Sequence, residues 1–231
     1  VEGDRPTYDE DKFDEAAEVL NGSGVDILVS QSVTLEEVEE LEQLAEKTGG
    51  DLIVQGDFDS SNVGAEELLS SDEIFVEDGV YDMSPIFKSF VNRAKEDGAE
   101  VVNSLDDLED GVAIITEGSS ESPENRIVAH KSANAEGLAE TGSMSPEETS
   151  DVVIVYGREV EDIPEDKTIV QLTSEENNVS EMAEVVIPLR SWLEKEGSLV
   201  NCFGEEVSLE SVKATVFPMN ENIIEKVVES F

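Results

Sequence analysis

The sequence predicts an α/β protein of two Rossmann-like lobes with mainly parallel sheets. Three observations lead there. Nearly every apolar run is four to six residues long and rich in Val and Ile, the pattern of strands buried on both faces. The runs alternate with amphipathic helical patterns or glycine-containing loops, as βαβ units do. The chain of 231 residues is also long enough for one large domain or two lobes with a real core.

Taken from the N-terminus, Phe13, Ala16, Ala17 and Leu20 fall at helical spacing, and Asn21-Gly22 ends that helix. Val25–Val29 is a short strand of parallel type. Thr34 with Glu37 forms a capping box. It opens a helix whose Leu35, Val38, Leu41, Leu44 and Ala45 face inward. Gly49-Gly50 stops this helix before a strand at Leu52–Val54. Residues 56–71 read as a polar connection. Ile74–Val76 is the next strand. Ser84-Pro85 then starts a helix with Ile86, Phe87, Phe90, Val91 and Ala94 on its buried stripe. Gly98 ends it, and the strand Glu100–Val102 follows. An acidic run at 105–111 marks a lobe boundary, dividing the chain into 1–110 and 111–231.

The second lobe has fewer helices. Strands are predicted at Val112–Ile115, Ile127–Ala129, Asp151–Tyr156, Ile169–Leu172 and Val185–Ile187, with a polar loop at 118–125. Short helical turns are expected at Ala133–Leu138 and from Ser145-Pro146. Ile223, Ile224, Val227, Val228 and Phe231 make a closing amphipathic helix from about Asn220. The first four strands are expected in one sheet, and Asp151–Tyr156, Ile169–Leu172 and Val185–Ile187 in the other.

Charge restricts the function classes. The chain carries 57 acidic and 14 basic residues, a net charge of -43, spread from end to end. Dispersed acid with few lysines suits a protein adapted to high salt, where screening removes self-repulsion. Nucleic-acid binding is not expected, because little here could neutralise phosphates. No apolar run approaches the ~20 residues of a membrane span, and no signal-peptide head is present, so a cytoplasmic protein with no direct membrane insertion is expected. Val rather than Met at position 1 suggests an excised or processed piece.

The chemistry-bearing inventory is thin. Cys202 is the single cysteine and His130 the single histidine, too few for an iron–sulfur cluster, a structural zinc site or a His-based triad. Nucleophile-elbow, P-loop and dinucleotide glycine motifs are absent. No catalytic residue and no metal site is predicted. One constellation remains, in the loop of AEVVIPLRSWLEKEGSLVNCFGEEV (Ala183–Val207). A strand stops at Pro188, a helical turn follows, and Gly197 and Gly204 supply turns. Glu194, Lys195, Gly197, Asn201 and Gly204 are the candidate cofactor-binding residues. Asn201 offers a donor and an acceptor, and the glycines let backbone amides approach an anion. The alternative is a structural corner in which Asn201 bonds backbone and Glu194 pairs with a base.

These residues also carry a resemblance. Ala183, Val185, Val186, Pro188, Glu194, Lys195, Gly197, Asn201 and Gly204 match a signature of the molybdopterin oxidoreductase superfamily. The form most similar is the G (large iron–sulfur) subunit of NADH:quinone oxidoreductase, respiratory complex I. Phe203, Glu205 and Val207 depart from it, and Glu205 replaces an arginine suited to phosphate. The stretches SVTLEEVEELEQLAEKTG, DEIFVEDGVYDMSPIFKSFVNRAKEDGAEVV and SANAEGLAETG resemble further blocks in family order. The resemblance implies a molybdopterin-oxidoreductase-like fold in which a first βαβ lobe is inserted in a second. It implies a scaffold and docking part of an electron-transfer complex, partnered by other subunits of a respiratory or hydrogenase-like complex. Cofactors are then expected to be none in this chain, with iron–sulfur clusters in a preceding N-terminal region; whether molybdopterin binds is left open. Two other readings stand beside it: the middle domain of a catalytic molybdenum enzyme such as formate dehydrogenase, and a stand-alone non-redox α/β binding module.

Overall fold

The computed structural model describes residues 5–21, 24–54, 60–116, 119, 123–130, 134, 136–138, 141–143, 146–157, 160 and 163–230. In chain order the elements are α1 (Asp11–Leu20), β1 (Asp26–Val29), α2 (Leu35–Thr48), β2 (Leu52–Val54), α3 (Ala65–Ser70), β3 (Glu73–Val76), α4 (Val80–Met83), α5 (Ile86–Asp97) and β4 (Glu100–Val102). After them come β5 (Val112–Thr116), β6 (Arg126–Ala129), β7 (Gly142–Ser143), β8 (Val152–Tyr156), β9 (Thr168–Thr173), α6 (Asn178–Met182), β10 (Val185–Pro188), β11 (Gly197–Val200), β12 (Glu206–Leu209) and α7 (Asn220–Glu229).

The chain divides into two compact units. The first comprises Val1–Gly56, Glu140–Leu199 and Ser208–Phe231; the second comprises Asp57–Ala139 and Val200–Val207. The first unit holds a six-stranded sheet in the order β10-β9-β8-β1-β2-β7, with every pair parallel. Its strands are near-continuous apolar runs because both faces are covered. Leu28, Ile53, Val153, Val155 and Ile169 pack in one cluster with Val160, Ile163 and Val179. Helices α1 and α2 each pack against α7.

The second unit has a four-stranded parallel sheet, β4-β3-β5-β6. Strand alternation sorts its two faces. Val112 and Ile114 of β5 pack with Phe87, Val91 and Ala94 of α5, whereas Ala113 and Ile115 pack with Phe75, Leu105 and Leu108. Cys202 and Phe203 lie against the first of these clusters.

The α/β class with parallel sheets stands, but the strands are sorted differently from expectation. β1 and β2 share a sheet with β8, β9 and β10, while β3 and β4 join β5 and β6. The units are therefore not the consecutive pieces 1–110 and 111–231, and the inserted unit begins after β2 rather than at the N-terminus. The reason is general: an apolar run marks a buried parallel strand but says nothing of which strand lies beside it. Three local differences have plainer causes. The 56–71 connection contains α3, a single amphipathic turn and a half around the buried Leu68. Ile86 is 52% exposed, because it precedes Phe87 by one position, about 100° round the helix. Pro188 is the last residue of β10, opposite Thr173, which an edge strand allows.

Candidate functional site at the carboxyl edge of the larger sheet

In open parallel sheets, ligands bind beyond the carboxyl ends of the strands where the chain order reverses. In the first unit that reversal falls between β1 and β8, and Ser30 N–H donates to the Tyr156 carbonyl there at 2.9 Å. The chain then enters α2 through Thr34. The Thr34 side chain accepts from Glu37 N–H at 3.2 Å, and the Glu37 carboxylate accepts from Thr34 N–H at 3.0 Å. This capping box is the one read from sequence, and it holds Glu37 at the helix N-terminus, where negative charge is favoured.

Glu37 is 1% exposed and Lys195 7%. The Lys195 ammonium donates to Glu37 Oε2 at 2.8 Å and to the Ser32 carbonyl at 2.9 Å. It also lies 5.9 Å from the Tyr156 ring centre and 5.7 Å from that of Trp192, within cation–π range. The other Glu37 oxygen accepts from Asn220 Nδ2 at 2.6 Å. Asn220 Oδ1 in turn accepts from Arg190 N–H at 2.7 Å. Two buried charges are thus paired, and each makes further hydrogen bonds, the condition under which burial is tolerable.

Glu194, itself buried, forms a second ion pair in the same unit with the partly exposed Arg5. Its carboxylate accepts from Ser191 N–H at 3.0 Å and Ser191 Oγ at 2.8 Å, and meets Arg5 Nη1 at 2.9 Å. Arg5 also donates to the Leu189 carbonyl at 2.8 Å, with its guanidinium 3.7 Å over the Phe217 ring. Burial pushes the Glu194 carboxyl up, but the Ser191 amide and the Arg5 guanidinium outweigh it and bring the pKa down to about 2. Gly197 opens β11 at φ 147. A Cβ there would stand 2.6 Å from Glu36 Oε2 and 3.0 Å from Thr34 Cβ, so the position admits only glycine.

Asn201 and Gly204 belong to the second unit. Asn201 Oδ1 accepts from Phe203 N–H at 2.9 Å and Glu205 N–H at 3.1 Å, and its amide donates to Glu205 Oε2 at 3.1 Å. Gly204 turns the chain at φ 75. The five candidates are therefore found in two places, each engaged by its own neighbours. Glu194 pairs with a base and Asn201 bonds backbone, as in the structural-corner alternative.

Sequence reasoning missed Arg5, Tyr156, Arg190 and Asn220. The capping box signalled Glu37, and the turn residues signalled Glu194 and Lys195, but nothing linked them. Ser30 Oγ and Gln31 Oε1 at the edge have no partner among the described residues; the Tyr156 hydroxyl makes no hydrogen bond of good geometry but lies within the influence of Glu37 and Asn220. Burial first, and then the Glu37 charge, push the Tyr156 phenol well above its ordinary pKa, so it stays protonated. Among the described residues no group of three or more His, Cys, Asp or Glu could hold a metal ion. Cys202 is half-buried, and no helix described is long and apolar enough to cross a membrane.

Comparison with known proteins gives a fold relationship. No family model and no curated protein matches the sequence. Among solved structures, a chain of the formyltransferase/hydrolase complex from Methylorubrum extorquens, determined in complex with methylofuran, is similar with a TM-score of 0.58 at 11% identity. The similarity covers 98% of this chain and 97% of that one. At that identity it shows a shared fold alone. It overturns the identification with the molybdopterin oxidoreductase superfamily, and with it the readings as part of NADH:quinone oxidoreductase or of a formate dehydrogenase. The matched residues explain the error: Val-Val-Ile-Pro, a capping box and turn glycines are what many doubly wound chains need for physical reasons, whatever their family. What the comparisons leave is an end-to-end likeness to one chain of a formyl-handling complex.

Proposed function

We propose that this chain is a framework subunit of a multi-subunit enzyme that transfers or hydrolyses formyl groups, with the reacting residues on other subunits. The observation that carries the reading is the whole-length likeness to a chain of the formyltransferase/hydrolase complex. Two features support a framework role. The carboxyl edge where such a sheet would hold a ligand is occupied by the Glu37–Lys195–Asn220 network. One Cys and one His in the whole chain also leave little material for nucleophilic or metal-assisted chemistry. The reading includes that this chain itself holds no iron–sulfur cluster and no pterin.

The test is fractionation of the native producer's extract in molar KCl, with the chain followed by antibody and each fraction assayed for release of formate from an N-formyl donor. Co-elution of the chain with that activity, well above its own 25.1 kDa, is expected. Elution at the single-chain mass, apart from the activity, would overturn the proposal.

A further inference from the structure

The smaller sheet has its own reversal of chain order. In β4-β3-β5-β6 the chain runs outward from β3 to β4, then crosses back to β5 and on to β6, so the reversal falls between β3 and β5. Ligands of open parallel sheets bind beyond the carboxyl ends of such a strand pair. Glu77 follows β3 directly, Thr116 is the last residue of β5, and Ser119 lies just beyond it. Glu77 N–H donates to the Ile114 carbonyl at 2.9 Å, which keeps its backbone in line with the sheet.

Three donors converge on the Glu77 side chain. Its Oε2 accepts from Thr116 N–H and from Thr116 Oγ1, both at 2.7 Å, and its Oε1 accepts from Ser119 Oγ at 2.8 Å. These bonds are short, as hydrogen bonds to a charged acceptor are. Ser119 N–H donates to the Thr116 carbonyl at 3.1 Å, so both donor residues belong to one tight turn. Burial pushes the Glu77 carboxyl up, but the Thr116 amide and the two hydroxyls outweigh it and hold it below the ordinary glutamate value. Among the described residues no base takes part. That sets Glu77 apart from Glu37 and Glu194, which meet Lys195 and Arg5. Glu77, Thr116 and Ser119 are all half-buried, so the cradle is open to water.

We propose that Thr116 N–H, Thr116 Oγ1 and Ser119 Oγ form a receptor for a small monocarboxylate, closed in this chain by Glu77 acting as a tethered ligand. A tethered group has a high effective concentration at its site and needs little affinity of its own, which is why neutral donors suffice without a base. A free carboxylate competes with Glu77 in the wild-type chain and has the cradle to itself once that side chain is cut back to Ala. Acetate reproduces the carboxylate and last methylene of the glutamate, and formate the carboxylate alone. Chloride, a single atom, cannot give separate acceptors to Thr116 and Ser119. The inference goes beyond the framework-subunit reading and does not rest on it.

The test compares wild type, Glu77→Ala and the triple variant Glu77→Ala/Thr116→Val/Ser119→Ala by thermal unfolding in molar KCl, with potassium acetate or formate replacing KCl at constant ionic strength. Glu77→Ala is expected to melt below wild type in chloride and to recover saturably with either carboxylate, by about 2–4 °C at about five times Kd. Wild type and the triple variant should show only the shallow, unsaturable effect of exchanging salts. Equilibrium dialysis with radiolabelled acetate should find one site per chain on Glu77→Ala, and binding to wild type about tenfold weaker or more. If Glu77→Ala fails to fold in chloride, return of the native circular dichroism with acetate is the expected result, and no return overturns the proposal. A Glu77→Ala chain that responds no more than wild type, or no more than the triple variant, overturns the receptor. Equally tight binding to wild type overturns the tethered role of Glu77.

Discussion

Glu194–Lys195 and Asn201–Gly204 look alike in sequence, each a charged or polar residue beside a turn, but they differ in physical role. The first pair is buried in the larger unit, with partners from the N-terminal segment, α2 and the turn before it. The second is a surface turn of the smaller unit, closed by contacts within residues 201–205. The difference teaches that a short motif does not define one site. What sets a residue's energetic weight is whether its charge has left water, because an unpaired buried charge costs far more than a lost surface hydrogen bond.

The largest expected effect is at Lys195. Lys195→Met leaves Glu37 buried without its cation, a loss of about 3–5 kcal/mol, read as a fall in the urea midpoint in molar KCl. A midpoint within error of wild type would place Lys195 outside the network described. Glu194 comes next. Its folded pKa of about 2 lies below the ordinary 4.5 of a glutamate, so its contribution is complete above 4.5 and is lost as pH falls toward 2. At neutral pH, Glu194→Gln should therefore cost on the order of 2–3 kcal/mol. The gap between wild type and variant should close as the solution is acidified through that window. A gap that stays constant with pH would show that charge is not what stabilises this turn.

In the surface turn the effects are smaller. Gly204→Ala meets no atom within 4 Å, so it should cost only the roughly 1–2 kcal/mol of placing Cβ in a left-handed conformation. Asn201→Ala should cost about 1 kcal/mol from its lost backbone bonds. A loss at either position as large as that at Lys195 would erase the distinction drawn between the two regions. The smallest effect is expected at Tyr156. Tyr156→Phe removes a hydroxyl that makes no hydrogen bond of good geometry and should change stability by no more than about 1 kcal/mol. Clear destabilisation would mean that the hydroxyl holds something in solution.

How much of this was legible in the sequence follows from which interactions are local. The helix from Leu35 to Thr48 was readable because its cap, its apolar stripe and its terminal glycine all lie within the segment. Most strands were readable as apolar runs for the same reason. The sheet partners were not, because β1 joins β8 across more than a hundred residues and no local pattern records that choice. The partners of the candidate residues were hidden in the same way. Lys195 could be picked out beside a turn, but its partner Glu37 was visible only as a capping residue, and Arg5 and Asn220 only as polar residues near the chain ends. Ile86 was misplaced for the opposite reason: a helical stripe read too wide takes in a residue on the outward face.

Glu37 and Lys195 hold each other at the carboxyl edge of the larger sheet. A double-mutant cycle of Glu37→Gln, Lys195→Met and the pair, followed by urea unfolding in molar KCl, tests that pairing directly. The account predicts that the double variant is far less destabilised than the sum of the singles, with a coupling of about 2 kcal/mol or more. Additive single effects, with no coupling, would contradict it.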